Sequence, residues 1–288
     1  VLIASNVPSA GGISSSSALE CGFAWAINEC FSFNLSRKEI ALMGQQSEHE
    51  FMNVNCGIMD QYIIATGKKD TAELLDCALV EHEYIPLQLG DYRFVVMNTK
   101  KQRKLSESKY NERRSECEKG LAILQAAKLS LKAGGAVKNT SELKNLCSLT
   151  PEAFEECKHL IKDEVILKRV RHCVTEMDRV VRSVEALKQN NLTELGNLLY
   201  ASHASLRDDY ESTGIELDTL VLAASKQDGC IGARMTGAGF GGCAIALVHK
   251  DKTESFMQNV QALYTRVTGY NGAFFECESG DGVIEITE

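Results

Sequence analysis

Apolar and polar positions alternate along this chain in two rhythms, and the switches between them outline its elements. After a serine run, Leu19, Phe23, Ala26, Ile27 and Cys30 recur at helical spacing and predict a helix that buries this face. Asn34-Leu35-Ser36 interrupts the pattern. Ser36 followed by Glu39 reads as a capping box, opening a second helix through Ile40, Leu42 and Met43 to Glu48, His49 and Phe51. A loop with Asn53, Asn55 and Gly57 leads into the apolar run 58–64. Gly67 to Asp70 reads as a turn, and Ala72 to Asp76 as the start of a strand. Near Pro86 to Asp91 the character changes, and Tyr92 to Met97 reads as a buried strand. This is the expected domain boundary, dividing the chain into 1–90 and 91–288.

Beyond it, 100–109 is polar and basic and reads as a loop, 110–129 is helical, and Gly134-Gly135 is a connector. Pro151 suits a helix start. From Glu164 a long helix is expected to bury Val170, Val174, Met177, Val181, Val184 and Leu187, ending at Asn190-Asn191. Further helices are expected over 195–206, 215–226 and 255–268, with strands over 243–248 and 273–277. The strands do not alternate regularly with helices, so the fold class is α+β.

Composition narrows the function classes. At 288 residues the chain can bury a large core. A net charge of −8 argues against a general nucleic-acid or acidic-membrane binder. No apolar run approaches the ~20 residues that span a bilayer. Eleven cysteines, an odd number without CxxC pairs, read as reduced thiols of a cytoplasmic protein. The chain opens on Val1 inside an apolar, strand-like run, which suggests a fragment lacking an N-terminal part.

Two glycine clusters carry the candidate chemistry. In the first, Val7 to Glu20, adjacent Gly11 and Gly12 allow a tight turn, and the serines after them stand at a helix N-terminus. Free N–H groups and the helix dipole there favour a phosphate. It is not a Walker A loop, since no lysine follows Gly12; read alone, it could equally be a serine-rich cap or linker. Glu48 and Asp60 bracket Cys56-Gly57, and a phosphoryl-transfer site needs one carboxylate for Mg²⁺ and another beside the attacking hydroxyl. Most such carboxylates are surface residues, so the spacing alone is weak. The second cluster, Met235 to Gly242, is dense for an ordinary turn and points to close backbone approach to a ligand or to the first glycine loop. His172 and His203 form no metal-binding pattern and are expected to be core or surface partners. Lys100 to Lys104 with Arg113-Arg114 is by default a solvated face.

Together these stretches resemble the galactokinase branch of the GHMP sugar and metabolite kinases. The resemblance rests on Val7 to Glu20, on Cys56-Gly57-Ile58-Met59-Asp60-Gln61, on Ser202 to Tyr210, on Glu216 to Leu220, and on Arg234 to Gly242. It implies two α+β domains, a ribosomal-protein-S5-like N-terminal part, truncated here, and a ferredoxin-like C-terminal domain, with the active site between them. The implied activity is ATP-dependent phosphorylation of the anomeric hydroxyl of galactose. Ala10, Gly11, Gly12, Ile13, Ser14, Ser15 and Ser16 would wrap the ATP phosphates, with Ser16 and Glu48 holding Mg²⁺. Asp60 would face the anomeric hydroxyl as base or orienting charge. Gly57 and Tyr110 would contact the sugar.

Two departures stand out. Ala10 replaces the family's usual glycine and Ser17 is variable, both tolerable changes. The signature Gly-Arg-x-Asn-x-Ile-Gly-Glu-His-x-Asp-Tyr is absent; the resemblance places it before Val1, so these 288 residues alone are expected to have little or no kinase activity. Rival readings are a kinase for N-acetylgalactosamine or another hexose, a non-catalytic sugar sensor, and a non-functional remnant.

Overall fold

The computed structural model describes residues 1–5, 7, 13–54, 56–101, 106–133, 135 and 137–286. The capping box at Ser36 forms as the sequence predicts. Its hydroxyl accepts from the Glu39 N–H at 3.3 Å and the Ser36 N–H donates to the Glu39 carboxylate at 2.7 Å, starting α2 (Arg37–Glu50). With α1 (Ser15–Phe31) and α3 (Met59–Thr66) it encloses a small core of Cys21, Ile40, Ala41, Ile58, Tyr62 and Ala65. An antiparallel pair follows, β1 (Thr71–Asp76) and β2 (Glu81–Pro86), tied to α3 where the Thr66 hydroxyl donates to Glu73. The C-terminal tail returns to the same helix, the Val283 N–H donating to the Ile64 carbonyl at 2.7 Å.

The larger sheet has the order β4 (Cys230–Thr236), β5 (Cys243–His249), β3 (Tyr92–Asn98), β6 (Ala273–Cys277), all antiparallel. Strand residues alternate between its faces. Ala244, Ala246 and Val248 join the core shared with α8 (Ile215–Ala224) and α9 (Thr253–Thr268), while Leu247 faces Leu195 of α7 (Leu192–Asp208) on the other side. A further core forms where α4 (Ser106–Ala127), α5 (Pro151–Cys157) and α6 (Glu164–Lys188) meet, around Leu124, Phe154, Val170 and Val174. Pro151 occupies the first turn of α5, as predicted.

Four sequence expectations change. Residues 1–5 form no strand and are exposed, and among the described residues no strand pairs with them. The apolar face expected of α1 lies outward: Leu19 and Phe23 are exposed, and the buried positions are Ser17, Cys21 and Asn28. Asn28 can be buried because its amide exchanges hydrogen bonds with the Leu35 backbone, at 3.3 Å and 2.8 Å. On α6, Val181 is exposed, while Arg169 and His172 are buried among their partners. Strands β2 and β4 were not expected. In β4, Gly232, Arg234 and the glycines that follow mask the strand character; in β2, Glu81, His82 and Glu83 do so.

Candidate functional site

Ala10, Gly11 and Gly12 of the predicted phosphate loop lie outside the described residues. Beyond them, Ser14 caps α1 in a left-handed conformation (φ 58°, ψ 38°), unusual for a residue with a side chain. Its carbonyl accepts the Ala18 N–H at 3.0 Å. Ser15 and Ser16 occupy the first helical positions, where backbone N–H groups have no intrahelical acceptor and favour an anion. Ile13 precedes them, partly buried.

Glu20 stands one turn after Ser16, on the same side of α1. Three helices bring it against Glu48, which is buried at the end of α2, and Gln61 of α3. Burial, then the charge and hydrogen bond of Glu48, push the Glu20 carboxyl up to about 7. Its Oε2 is buried without a hydrogen-bond partner, and no ion pair among the described residues engages Glu20 or Glu48. The spot thus concentrates negative charge and open acceptor capacity immediately behind the serines. Spacing along the helix could have flagged Glu20 from the sequence, as it falls four residues after Ser16.

Asp60 is exposed in the first turn of α3, and Gly57 is exposed just before it. A side chain at Gly57 would meet nothing within 4 Å, so the position faces open space. The intervening loop is held on α2: the Cys56 carbonyl accepts from Gln45 Nε2 at 3.2 Å and His49 Nε2 at 3.0 Å, and the Val54 N–H donates to the Glu48 carbonyl. Glu48 and Asp60 both act electrostatically on the Cys56 thiol, which burial chiefly pushes up.

The second glycine cluster joins β4 to β5 in a turn built on positive φ at Gly237, Gly239, Phe240, Gly241 and Gly242. A Cβ on Gly239 would lie 2.1 Å from the Ser212 carbonyl oxygen, to which the Phe240 N–H donates at 2.7 Å. On its other side the Gly242 N–H donates to the Thr99 hydroxyl, and the Gly242 carbonyl accepts the Thr99 N–H at 2.8 Å. Among the described residues the close approaches of this cluster are to Ser212 and Thr99; the first glycine loop, one of its expected partners, lies outside the described residues. Tyr110, partly buried near the start of α4, is a neighbour of Tyr210, and the adjacent Lys109 ammonium lies 5.6 Å from the Phe240 ring. No hydrogen bond or ion pair among the described residues links the Tyr110 group with the Glu48–Asp60 group.

His172 and His203 are buried and partner neighbouring residues. His172 Nδ1 lies 2.9 Å from the Ser205 hydroxyl, and His203 Nδ1 accepts the Met235 N–H at 3.2 Å. The basic stretch is only partly a solvated face: Lys101 pairs with Glu216 at 2.8 Å, and Arg113 donates to the Tyr210 carbonyl and Glu116. Among the described residues no three His, Cys, Asp or Glu side chains could together hold a metal, and no helix is long and apolar enough to cross a membrane.

Comparison with known proteins gives this arrangement its class. Residues 1–68 match the family model described as the GHMP kinases N terminal domain, and residues 183–266 match the GHMP kinases C terminal model. The fold is that of a GHMP kinase. Curated galactokinases from Clostridium tetani and Staphylococcus carnosus are 47% and 44% identical over 99% and 98% of this chain, which covers 70% of each. A crystal structure of Lactococcus lactis galactokinase complexed with galactose superposes with a TM-score of 0.89 at 43% identity, over 97% of this chain and 69% of that one. Mevalonate kinase from L. major, at 16% identity and a TM-score of 0.57, shares the fold. The chain belongs to the galactokinase family.

Proposed function

We propose that this chain carries the nucleotide half, and part of the sugar half, of a site that transfers the γ-phosphoryl group of ATP to the anomeric hydroxyl of galactose. The observation that carries the reading is the placement of Glu48, backed by Glu20, behind the N-terminus of α1, with Asp60 opening the next helix. Phosphoryl transfer needs positioning and charge neutralisation more than covalent chemistry from the protein; the start of α1 would supply the first, and a cation held by the carboxylates the second.

The residues suit a magnesium ion held jointly with phosphates. Glu20 Oε2 has no hydrogen-bond partner, and no cation among the described residues pairs with Glu20 or Glu48, so the negative charge they share is uncompensated. Mg²⁺ favours one or two protein oxygens, completed by water and phosphate. Glu48 and the Ser16 hydroxyl would hold it, and it would neutralise charge on the transferring phosphates. The residues around Ser14 to Ser16, continuing Ala10 to Ile13, would offer N–H groups to those phosphates. Asp60 would face the anomeric hydroxyl, receiving its proton or orienting it as the oxygen–phosphorus bond forms and the bond to ADP breaks. Gly57 would leave room for the sugar ring, and Tyr110 would hydrogen-bond it.

The test is ADP release from Mg·ATP with galactose, N-acetylgalactosamine and other hexoses. It should be run on the 288 residues and on the product of the complete reading frame that contains them. Galactose-dependent release that disappears in Asp60→Ala supports the reading. Preference for another hexose overturns the sugar assignment. Sugar binding without turnover in either polypeptide overturns the kinase assignment in favour of a sensor.

A further inference from the structure

Away from the candidate site, α4 and α6 bring two thiols into contact. Cys117 Sγ and Cys173 Sγ lie 3.6 Å apart, although 56 residues separate them in sequence. Both are free and only partly buried, at the edge of the core between the helices. A disulfide needs sulfurs about 2.05 Å apart, a closure of roughly 1.5 Å between side chains that already touch. Of the other cysteines, Cys21 and Cys157 are buried, and Cys30, Cys77 and Cys147 are exposed.

The surroundings make the two sulfurs unequal. A thiol–thiol hydrogen bond joins Cys117 and Cys173, the Tyr210 hydroxyl approaches the Cys117 sulfur, and the Arg169 guanidinium stands nearby. These hold the Cys117 thiol below its usual range despite burial and the Glu116 carboxylate. The same hydrogen bond, with burial, pushes Cys173 up. One sulfur is thus disposed to act as the thiolate and its neighbour as the resolving thiol.

We propose that Cys117 and Cys173 are a modification site at which a peroxide closes an intramolecular disulfide between α4 and α6. The Cys117 thiolate attacks a peroxide oxygen and the O–O bond breaks; Cys117 becomes a sulfenic acid and the departing hydroxide takes up a proton as water. Cys173 then attacks the Cys117 sulfur. The S–S bond forms, the S–OH bond breaks, and the hydroxide leaves with the Cys173 proton as a second water. Two thiols lose two electrons in total, and one hydrogen peroxide becomes two waters. The bridge would sit about two turns along α4 from Tyr110, on the helix that Arg113 ties to the Tyr210 carbonyl.

The test uses the native, fully reduced chain with a small molar excess of hydrogen peroxide. Free thiols are then blocked with N-ethylmaleimide, and tryptic peptides are mapped without reduction. The expected first product joins Ser115–Lys119 to His172–Arg179, two hydrogens lighter than the separate peptides, and dithiothreitol reverses it. Cys117→Ser and Cys173→Ser should each lose this product. Cys147 is exposed and within electrostatic reach of both sulfurs. A first cross-link to its peptide, Asn145–Lys158, overturns the proposal. So does recovery of both target peptides blocked by N-ethylmaleimide after other cysteines have oxidised.

Discussion

Gly196 of α7 and Gly232 of β4 meet backbone to backbone. A Cβ on Gly196 would lie 2.0 Å from the Ile231 carbonyl oxygen, and one on Gly232 would lie 2.4 Å from the Gly196 Cα. The contact sets how closely α7 lies on the sheet edge, and α7 carries His203, which accepts the N–H of Met235 just before the glycine turn. Inside a helix, alanine ordinarily gains up to about 1 kcal/mol over glycine. At Gly196 the overlap with rigid backbone should outweigh that gain, so Gly196→Ala should lose about 1–3 kcal/mol. Gly22 in α1 meets nothing within 4 Å, and Gly22→Ala should gain about 0.5–1 kcal/mol. Urea unfolding midpoints compare the two; a stabilising Gly196→Ala would contradict the packing argument.

Arg169 is 1% exposed and donates to Glu116 at 2.7 Å, the Asp209 carbonyl at 2.6 Å and Glu211 at 2.8 Å, binding α4, α6 and the 209–211 segment together. Removing one side of a buried ion pair strands the other charge, so Arg169→Met should cost about 3–5 kcal/mol. Arg114 and Glu118, both exposed, form an i,i+4 pair, and Arg114→Ala should cost no more than about 0.5 kcal/mol. Equal costs in denaturant titrations would refute the distinction.

His172 is buried, and its imidazole is lowered to about 4 chiefly by desolvation. The unfolded chain therefore binds this proton more readily than the folded one. The stability it contributes is present above pH 6.5 and is lost as the pH falls towards 4, by on the order of 3 kcal/mol. Glu20, raised to about 7, acts in the opposite sense: its contribution is present below pH 4.5 and lost as the pH rises through 7. His172 is therefore read by difference. Plotted against pH, the stability of His172→Gln should lack the wild type's loss between pH 6.5 and 4. Parallel curves for the two proteins would reject the assignment.

The proposed carboxylate roles separate kinetically in a polypeptide that turns over galactose. Asp60→Asn should lower kcat by about 10²–10⁴-fold while leaving Mg·ATP binding intact, since Asp60 faces the sugar side. Glu48→Gln should instead raise the Mg²⁺ concentration needed for half-maximal rate. A magnesium titration of both variants decides, and exchanged phenotypes would reverse the assignment.

Local chemistry was legible wherever a residue acts on its own neighbourhood. Ser36 and Glu39 cap α2, Pro151 starts α5, and Asn190-Asn191 ends α6 within a few residues of the predicted points. The inward face of α1 was not legible, because its apolar residues surround the helix and only contact with α2 and α3 selects Cys21 over Phe23. Strand β4 was hidden for a related reason: Gly232 is there to admit a helix backbone, which a one-dimensional pattern reads as a strand breaker.

Most helices, the strands β1, β3, β5 and β6, the α+β class and the serine-rich start of α1 with Glu48 and Asp60 after it can be read from the chain alone, since each depends on residues close together in it. Only the tertiary structure decided the strand order β4-β5-β3-β6, the burial of Arg169, the meeting of Cys117 with Cys173, and the crowding of Glu20 against Glu48. These depend on which surfaces of different elements exclude water together, and on the charge and hydrogen bonding that burial then enforces.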